Sequence, residues 1–567
     1  YGPAVSSLEF DGSNYDYDLN GRLVALGSGN GNKAIAYDNR ILRSGSLFTQ
    51  SFSMQAHRLV NGYTKWITSV RMGYTNENTI LKDNKNTGKN LSSSIYLVTK
   101  RLNFTGAYAY THDKFSGSNR NGFLNRVYQN ALLTPTSFDN SQGTVLTTTQ
   151  RSYSQYADNP YFLLEDNPNS FAESHHTGSL TVQNRQYGKW KYKLVQSVDL
   201  SNENSVEAYK PGTAFFQNGI FTTRDKKDRV YFLKASPSRD INYGAGDRFE
   251  STAFINYIFT NSKSGIVYSR NPVHYAYKRS SHDIGLSYNT FYTGENIRIG
   301  AEVGNKLYFS STSSKNSFFL PATGAFVLLN NVFPSFDIKV SSSLAHFDNE
   351  ISLDRSMSHA NLLQYPVSAS YTYFPLTEVN SFDNLKPIHH REWSGKLEMY
   401  IGYKLTFTGE VFIKNTFDDV YPVYQNDELV LRNIADHRKS GVELQLRLDR
   451  SLFKSKQGGT PKLGFDNSIS FLAWSNKVTG VRDGFDYTPI AGFSNLHKAI
   501  VKGQQFGSIL GSSFQRDASG NIIIGPDGFP LVDNQLRIIG NPIPDFIMKL
   551  NNTLTWKRFT MSIDWEW

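Results

Sequence analysis

Residues 545–567 read DFIMKLNNTLTWKRFTMSIDWEW and alternate between apolar and polar positions. In an extended chain Phe546, Met548, Leu550, Leu554 and Trp556 share one face. Phe559, Met561, Ile563, Trp565 and Trp567 share one face of the next stretch. Lys549, Thr553, Thr560, Ser562, Asp564 and Glu566 take the opposite side, and only Lys557 and Arg558 lie between the two stretches. A period of two with one apolar side predicts a hairpin whose apolar side leaves water. Strands of about ten residues with aromatic ends fit the wall of an outer-membrane barrel, apolar outside and polar inside.

The alternation recurs. Val442, Leu444, Leu446 and Leu448 alternate with Glu443, Gln445, Arg447 and Asp449. Leu405, Phe407, Gly409, Val411 and Ile413 alternate with Lys404, Thr406, Thr408, Glu410, Phe412 and Lys414, and Leu397, Met399 and Ile401 with Lys396, Glu398 and Tyr400. The expected orientation puts Leu444, Leu446, Leu448, Met561 and Ile563 towards lipid. It puts Glu443, Gln445, Arg447, Asp564 and Glu566 in the lumen. A soluble sandwich would show the same alternation, with its polar face in bulk water and its apolar face on a second sheet.

The connections separate these readings. Short ones join Ser46–Ala56 to Tyr63–Met72, Leu91–Lys100 to Asn103–Thr111, and His176–Arg185 to Lys189–Leu200. Others join Leu397–Gly402 to Leu405–Lys414, Gly441–Asp449 to Lys462–Trp474, and Asp545–Trp556 to Phe559–Trp567. Long ones are expected at 112–175, 201–247, 415–440 and 475–544. Outer-membrane barrels have short turns on one rim and long loops on the other, an asymmetry that a sandwich does not need. In the middle of the chain, strands are expected at Gly285–Tyr288, Ile297–Phe309, Phe336–Leu344 and Val367–Phe374, without assigned partners. The whole predicts an all-β fold, a large antiparallel transmembrane β-barrel of about sixteen to twenty strands, with residues 1–567 as its barrel portion.

Composition agrees. The chain has 567 residues, 14% of them aromatic, with 33 Tyr and 39 Phe. Mean hydropathy is −0.44, and no apolar run is long enough for a membrane helix. There is no cysteine, which excludes disulfides, thiolate metal sites and cysteine nucleophiles. The net charge of +10 comes from 59 basic and 49 acidic residues. They are dispersed: even Arg224-Asp225-Lys226-Lys227-Asp228-Arg229 mixes both signs. Such charge suits a solvated lumen and attraction to anionic lipopolysaccharide, and nucleic acid is not an expected partner. Tyr1-Gly2-Pro3 opens with neither Met nor a basic and apolar leader, so the chain is expected to start inside a longer or processed protein.

No catalytic constellation emerges. His175-His176 and His389-His390 are adjacent pairs, and neighbours on a strand face opposite sides, which does not suit a shared metal. Neither a nucleophile elbow nor a phosphate-binding loop is present. Asp517-Ala518-Ser519-Gly520-Asn521 with Asp527-Gly528 lacks the bidentate glutamate of a calcium loop. Arg516–Asn534 is expected to be an outer-loop hairpin turning at Gly520 and Gly528. Asp418-Asp419 has no acid–base partner in sequence. The expectation is no enzyme activity, no metal and no cofactor.

Several stretches resemble the SusC family of TonB-dependent outer-membrane transporters of Bacteroidota. In Val501–Phe546 they comprise Gly503, Phe506-Gly507-Ser508-Ile509, Asp517, Gly520-Asn521, Gly528, Ile539-Gly540-Asn541-Pro542 and Pro544-Asp545-Phe546. Asn551-Asn552-Thr553 follows. Ala131–Asn140, Asp158–Asn169, Gly441-Val442-Glu443-Leu444, and Tyr1-Gly2-Pro3 with Asp11-Gly12 and Tyr37-Asp38 look like other family segments. They occur in family order from one end of the chain to the other.

The resemblance implies a barrel of 22 strands in the outer membrane, around an N-terminal plug that TonB pulls. It also implies a SusD-like lipoprotein lid and import of glycans or oligopeptides. Segments resembling the plug and the closing C-terminal strands are missing from these residues. A wall without them would carry an unpaired edge in lipid. Outer-loop aromatics are the expected substrate grip: Tyr161 and Phe162, then Tyr371, Tyr373 and Phe374, with Asp158 and Asn159 as hydrogen-bonding neighbours. A passive diffusion porin and a soluble β-rich glycan-binding or glycan-cleaving protein are the alternatives.

Overall fold

The computed structural model describes the chain apart from residues 1–2, 16–17, 62–63, 118–125, 142–149, 155–156, 166–168, 186–188, 215–216, 245–246, 269–272, 314, 354–358, 362–376, 381–384, 403, 426–427, 454–462, 483–486, 494–495 and 557. Its main body is one antiparallel sheet of 18 long strands that curls into a barrel wall. The wall begins with Ser46–Asn61 and ends with Phe559–Glu566, each strand paired with the next. One small insertion interrupts the order. His359–Asn361 pairs with Thr377–Asn380, whose Val379 and Asn380 lie parallel to Leu429 and Val430.

The registers explain the alternation. Cross-strand partners point to the same face. Ile297, Leu329, Ile338, Met399, Phe407, Leu446, Ile469, Leu550 and Trp565 are successive partners, one per strand. Trp66, Leu97, Phe104, Val182, Leu194, Ala235, Ile255 and Leu286 form a matching row on the earlier strands. Among the described residues, no other element of the chain covers these apolar rows: Leu446 is 40% and Ile255 52% exposed although flanked on both sides. One position along, Lys339, Glu398, Thr408, Gln445, Ser470, Lys549 and Glu566 make a polar row. Lys339 pairs with Glu398 at 2.6 Å and Lys549 with Glu566 at 2.8 Å. Glu443, Gln445, Arg447, Asp564 and Glu566 are therefore opposite Leu444, Leu446, Leu448, Met561 and Ile563, as the alternation predicts.

Going round the ring, the last strand is followed by the first. All of Phe559–Glu566 is exposed on both faces, and Leu47, Phe48 and Phe52 of the first strand are 68%, 51% and 58% exposed.

The two rims differ. Ser46–Asn61 turns directly into Thr64–Asn78, Lys85–Val98 into Leu102–Ser116, Phe336 follows Phe333, and Phe559 follows Trp556. On the other rim, residues 117–169, 350–387 and 482–546 connect strands.

Two expected long connections are instead mostly strand. Trp190–Tyr209 and Ile220–Gly244 leave only 210–219 between them. The 415–440 stretch is a hairpin of Leu405–Gln425 and Glu428–Phe453. These are 21 and 26 residues long, about twice a membrane crossing. Their outer halves carry polar residues on both faces, so the half-buried pattern stops while the ladder continues. In the middle of the chain, Gly285–Tyr288 falls in Val273–Thr293, which pairs with Ile297–Ser310. Phe336–Asn349 pairs with Ile388–Ile401. The expected strand at Val367–Phe374 lies outside the described residues.

Candidate functional site

The long-loop rim carries folded modules. In the first, helices Arg126–Leu133 and Pro160–Leu164 pack on the chain entering the barrel. Their shared core is Ile41, Leu81, Val127, Leu163 and Leu164, with Ala131, Tyr161 and Phe162 around it. Pro160 starts its helix where a missing N–H costs nothing. Asn159 caps it: its side chain accepts from Tyr161 N at 2.9 Å.

Asp158 and Asn159, expected from the sequence as hydrogen-bonding neighbours of a ligand, are 0% and 1% exposed. Asn159 Nδ2 donates to the carbonyls of Asn140 at 2.7 Å and Arg151 at 3.0 Å. Its backbone N–H donates to Gln150 Oε1 at 2.6 Å. Asp158 Oδ1 accepts from Ala214 N at 2.7 Å and from Gln150 Nε2. Its N–H donates to Asn130 Oδ1 at 3.1 Å. The pair ties four distant segments together, which side chains in a buried loop must do because backbone polar groups there need partners.

Tyr161 and Phe162 are half-buried. The Tyr161 hydroxyl donates to the carbonyls of Asp38 at 3.3 Å and Arg40 at 3.2 Å. Burial, then the nearby Asp38 carboxylate, raises its pKa above the usual phenol value. Lys210 Nζ stands 4.1 Å from the Phe162 ring centre. Tyr371, Tyr373 and Phe374 lie outside the described residues.

The second module explains why the Val501–Phe546 motif has the residues it has. Tyr487–Phe493, Leu496–Val501, Ser508–Gly511 and Arg537–Gly540 form a four-stranded sheet. It docks on the projecting strand ends through Val423, Ile434, Ala435, Val478 and Ile500. Gln504 and Phe506 clip onto the outer end of Leu463–Val481, where Phe506 N donates to Asn476 O at 2.7 Å and Val478 N to Gln504 O at 2.9 Å. The Phe506 ring packs 5.0 Å from His437 and 5.8 Å from Tyr421. Gly503 and Gly507 turn the chain on either side at φ +80° and +76°, where a side chain is strained. Asp419 accepts from the Tyr421 hydroxyl at 2.7 Å and meets His437 Nε2 at 3.2 Å. Burial, with the Asp419 carboxylate beside it, holds Tyr421 protonated well beyond the usual phenol range. The motif thus builds a rim.

Arg516–Asn534 is more than one hairpin. Gln515 N donates to Leu531 O, Ile523 N to Gln515 O and Leu531 N to Ile523 O at 2.8, 2.9 and 3.0 Å. The three arms close a triangle, with turns at Gly520 and Gly528, φ +86° and +80°. Asp517 Oδ1 is engaged by the N–H groups of Ser519 and Asn521, both at 2.9 Å. These and related bonds, led by Asn521, lower its pKa.

The paired histidines split as strand geometry requires. His175 Nε2 meets Asp199 Oδ1 at 2.7 Å while His176 Nδ1 meets the Tyr108 hydroxyl at 2.8 Å. His389 Nδ1 meets Asp348 Oδ1 at 2.6 Å and His390 Nδ1 meets Thr416 Oγ1 at 3.1 Å. Among the described residues, no group of three or more His, Asp or Glu is placed to hold a metal ion.

No family profile and no curated protein matches the sequence. Solved structures do. The chain is similar to the RagAB peptide importer in its "closed-closed" state, with a TM-score of 0.63 and 12% identity over 92% of this chain and 61% of that one. Its similarity to a structure of the RagAB peptide transporter has a TM-score of 0.63 at 11% identity, covering 91% and 61%. For the importer's "open-open" state the TM-score is 0.62 at 13% identity, covering 92% and 60%. The chain therefore spans about three fifths of the length of those chains. At this identity the likeness is one of fold, and it bears out the all-β expectation. In its fold the chain is a large antiparallel β-barrel wall similar to that of the RagAB structures.

Proposed function

We propose that this chain forms the wall of an outer-membrane importer for oligomeric nutrients, energised by TonB and lidded by a SusD-like lipoprotein. The observation that carries the proposal is the asymmetry of the wall. Among the described residues, one rim has tight turns such as those between Val98 and Leu102, Phe333 and Phe336, and Trp556 and Phe559, while the other holds two folded modules around a polar lumen. A passive pore needs no such rim, and a soluble sandwich would not leave its apolar rows bare. The likeness to a peptide importer favours oligopeptides over glycans as cargo. The lid belongs on the rim of residues 117–169 and 482–546, because tight turns offer it no surface. Outer-membrane lipid covers the apolar rows, and the net charge of +10 favours anionic lipopolysaccharide beside the wall.

Cargo is gripped at the module rim by aromatic side chains, with Tyr161, Phe162, Tyr371, Tyr373 and Phe374 as the proposed contacts. Asp158 and Asn159 are proposed as their hydrogen-bonding neighbours, and their buried bonds hold the loop. Transport here is not catalysis, so purified protein should return its cargo chemically unchanged.

Cells expressing the full protein should lose uptake when TonB is deleted or the proton gradient is collapsed. Uptake that survives both would establish a passive porin instead. Copurification followed by cross-linking should place the lipoprotein on the module rim. Cross-links confined to the Arg558 side would remove the lid from this reading.

A further inference from the structure

On the outward face of the wall, Ile220–Gly244, Asp247–Tyr268 and Val273–Thr293 carry Ala235, Ile255 and Leu286 of the apolar row. The opposite, tight-turn end of the first two strands is marked by the partners Gly244 and Asp247. Towards the long-loop rim, four residues along each strand, Tyr231, Phe259 and His282 are partners on the same face. Their rings follow one another, Tyr231 6.1 Å from Phe259 and Phe259 4.9 Å from His282. Such an aromatic girdle marks the level where hydrocarbon meets headgroups.

Four residues further out, Lys227, Lys263 and Lys278 form the next row of partners, and all three are exposed. Four residues span about 13 Å of strand, or about 9 Å along the bilayer normal at a 45° tilt. A headgroup layer is about 5–8 Å thick, and a lysine stem can lie back along the wall to place its ammonium there.

Like charges directly opposite each other destabilise a sheet, yet Lys263 has a lysine partner on each side. Arg229, two residues nearer the girdle on the strand of Lys227, adds a fourth exposed cation to this face. Beyond the girdle, the outward positions of these three strands hold one carboxylate among the described residues, Asp225, opposite Asn204 and Gly265. The luminal face is different. There Lys226 meets Asp228 at 3.2 Å and Lys306 meets Asp283 at 2.9 Å. Charge on the outward row is therefore left for something outside the protein to offset.

We propose that Lys227, Lys263 and Lys278, with Arg229 beside them, bind the anionic sugar-phosphate headgroup of a lipopolysaccharide molecule. Its acyl chains would run past the girdle onto the row of Ala235, Ile255 and Leu286. The three lysines spread over two strand spacings, about 10 Å. That width suits charges carried on linked sugars better than a single phosphodiester. The proposal rests on the lipid surroundings of the wall given above and not on import.

Full-length protein in non-ionic detergent, freed of bound lipid, is titrated with bis-phosphorylated lipid A. Dephosphorylated lipid A and phosphatidylglycerol are the comparisons. Amine acetylation followed by peptide mapping reads the site. At about ten times its dissociation constant, lipid A should slow acetylation of Lys227, Lys263 and Lys278 about tenfold. Exposed Lys404, at the tight-turn rim, should react as before. The Lys227→Gln/Lys263→Gln/Lys278→Gln variant should keep its heat-dependent gel shift and bind lipid A about tenfold more weakly or worse.

No protection of the three lysines in the unaltered protein overturns the site, as does unchanged binding by the folded variant. Protection measured without any substitution decides the matter if the variant fails to assemble. Equal protection by dephosphorylated lipid A overturns the charge assignment, and stronger protection by phosphatidylglycerol gives the row to phospholipid instead. Binding needs no energy source. Its failure alongside TonB-dependent uptake removes this site only, and uptake that survives TonB loss removes the importer reading only.

Discussion

Replacing Leu446 with Arg should destabilise the barrel in a bilayer by about 2–4 kcal/mol, the effect of arginine near the midplane of a lipid-facing wall. Leu446 lies within the apolar band Val442–Leu448, between Phe407 and Ile469 on the neighbouring strands. No protein covers it, since 40% of it is exposed even though both sides of its strand are paired. An arginine there would have to carry its charge through hydrocarbon to reach a headgroup. Gln445→Arg, one residue away, would enter the wet lumen beside Thr408 and Ser470 and should cost little. Urea unfolding in lipid vesicles, read from the heat-dependent gel shift, measures both. Equal losses would mean that the two side chains share a surrounding, and the face assignment would fail.

The face assignment was legible in sequence because it depends only on parity. Every residue of Val442–Asp449 alternates, and no distant partner is needed to know which side is apolar. Strand length was less legible. The hairpin through 415–440 continues after its lipid-facing side stops being apolar, and only the ladder between Tyr421 and Arg432 or Val423 and Val430 reveals it. Pairing in the middle of the chain was hidden for a related reason. Val273–Thr293 carries Tyr and Ser on both faces, so its partner is specified by register and not by pattern.

Loop chemistry was the least legible. Asp158 and Asn159 carry the same groups whether they grip a ligand or hold a fold, and their partners Asn140, Gln150 and Ala214 are distant in sequence.

Asn159 offers the sharpest separation between a holding role and a gripping role. Asn159→Ala removes the helix cap, a loss of about 1 kcal/mol. It also strips the donors from the Asn140 and Arg151 carbonyls, and buried acceptors left bare cost about 1–3 kcal/mol each. Relaxation of a surface module lets water recover part of that, so a net loss of about 3 kcal/mol is expected. The opening equilibrium of the 117–169 module should then rise roughly a hundredfold.

Because the barrel's ladders do not involve this residue, the heat-dependent gel shift should not change. Limited proteolysis within 117–169 should accelerate by the same factor, and cargo affinity should fall with it. Asn159→Asp keeps the acceptor for Tyr161 N and loses both donors, so it should fall between wild type and alanine. Binding lost without any change in proteolysis would return Asn159 to the role of a direct ligand contact. Faster proteolysis with normal binding would instead separate the module from the cargo path and move the aromatic grip elsewhere on the rim.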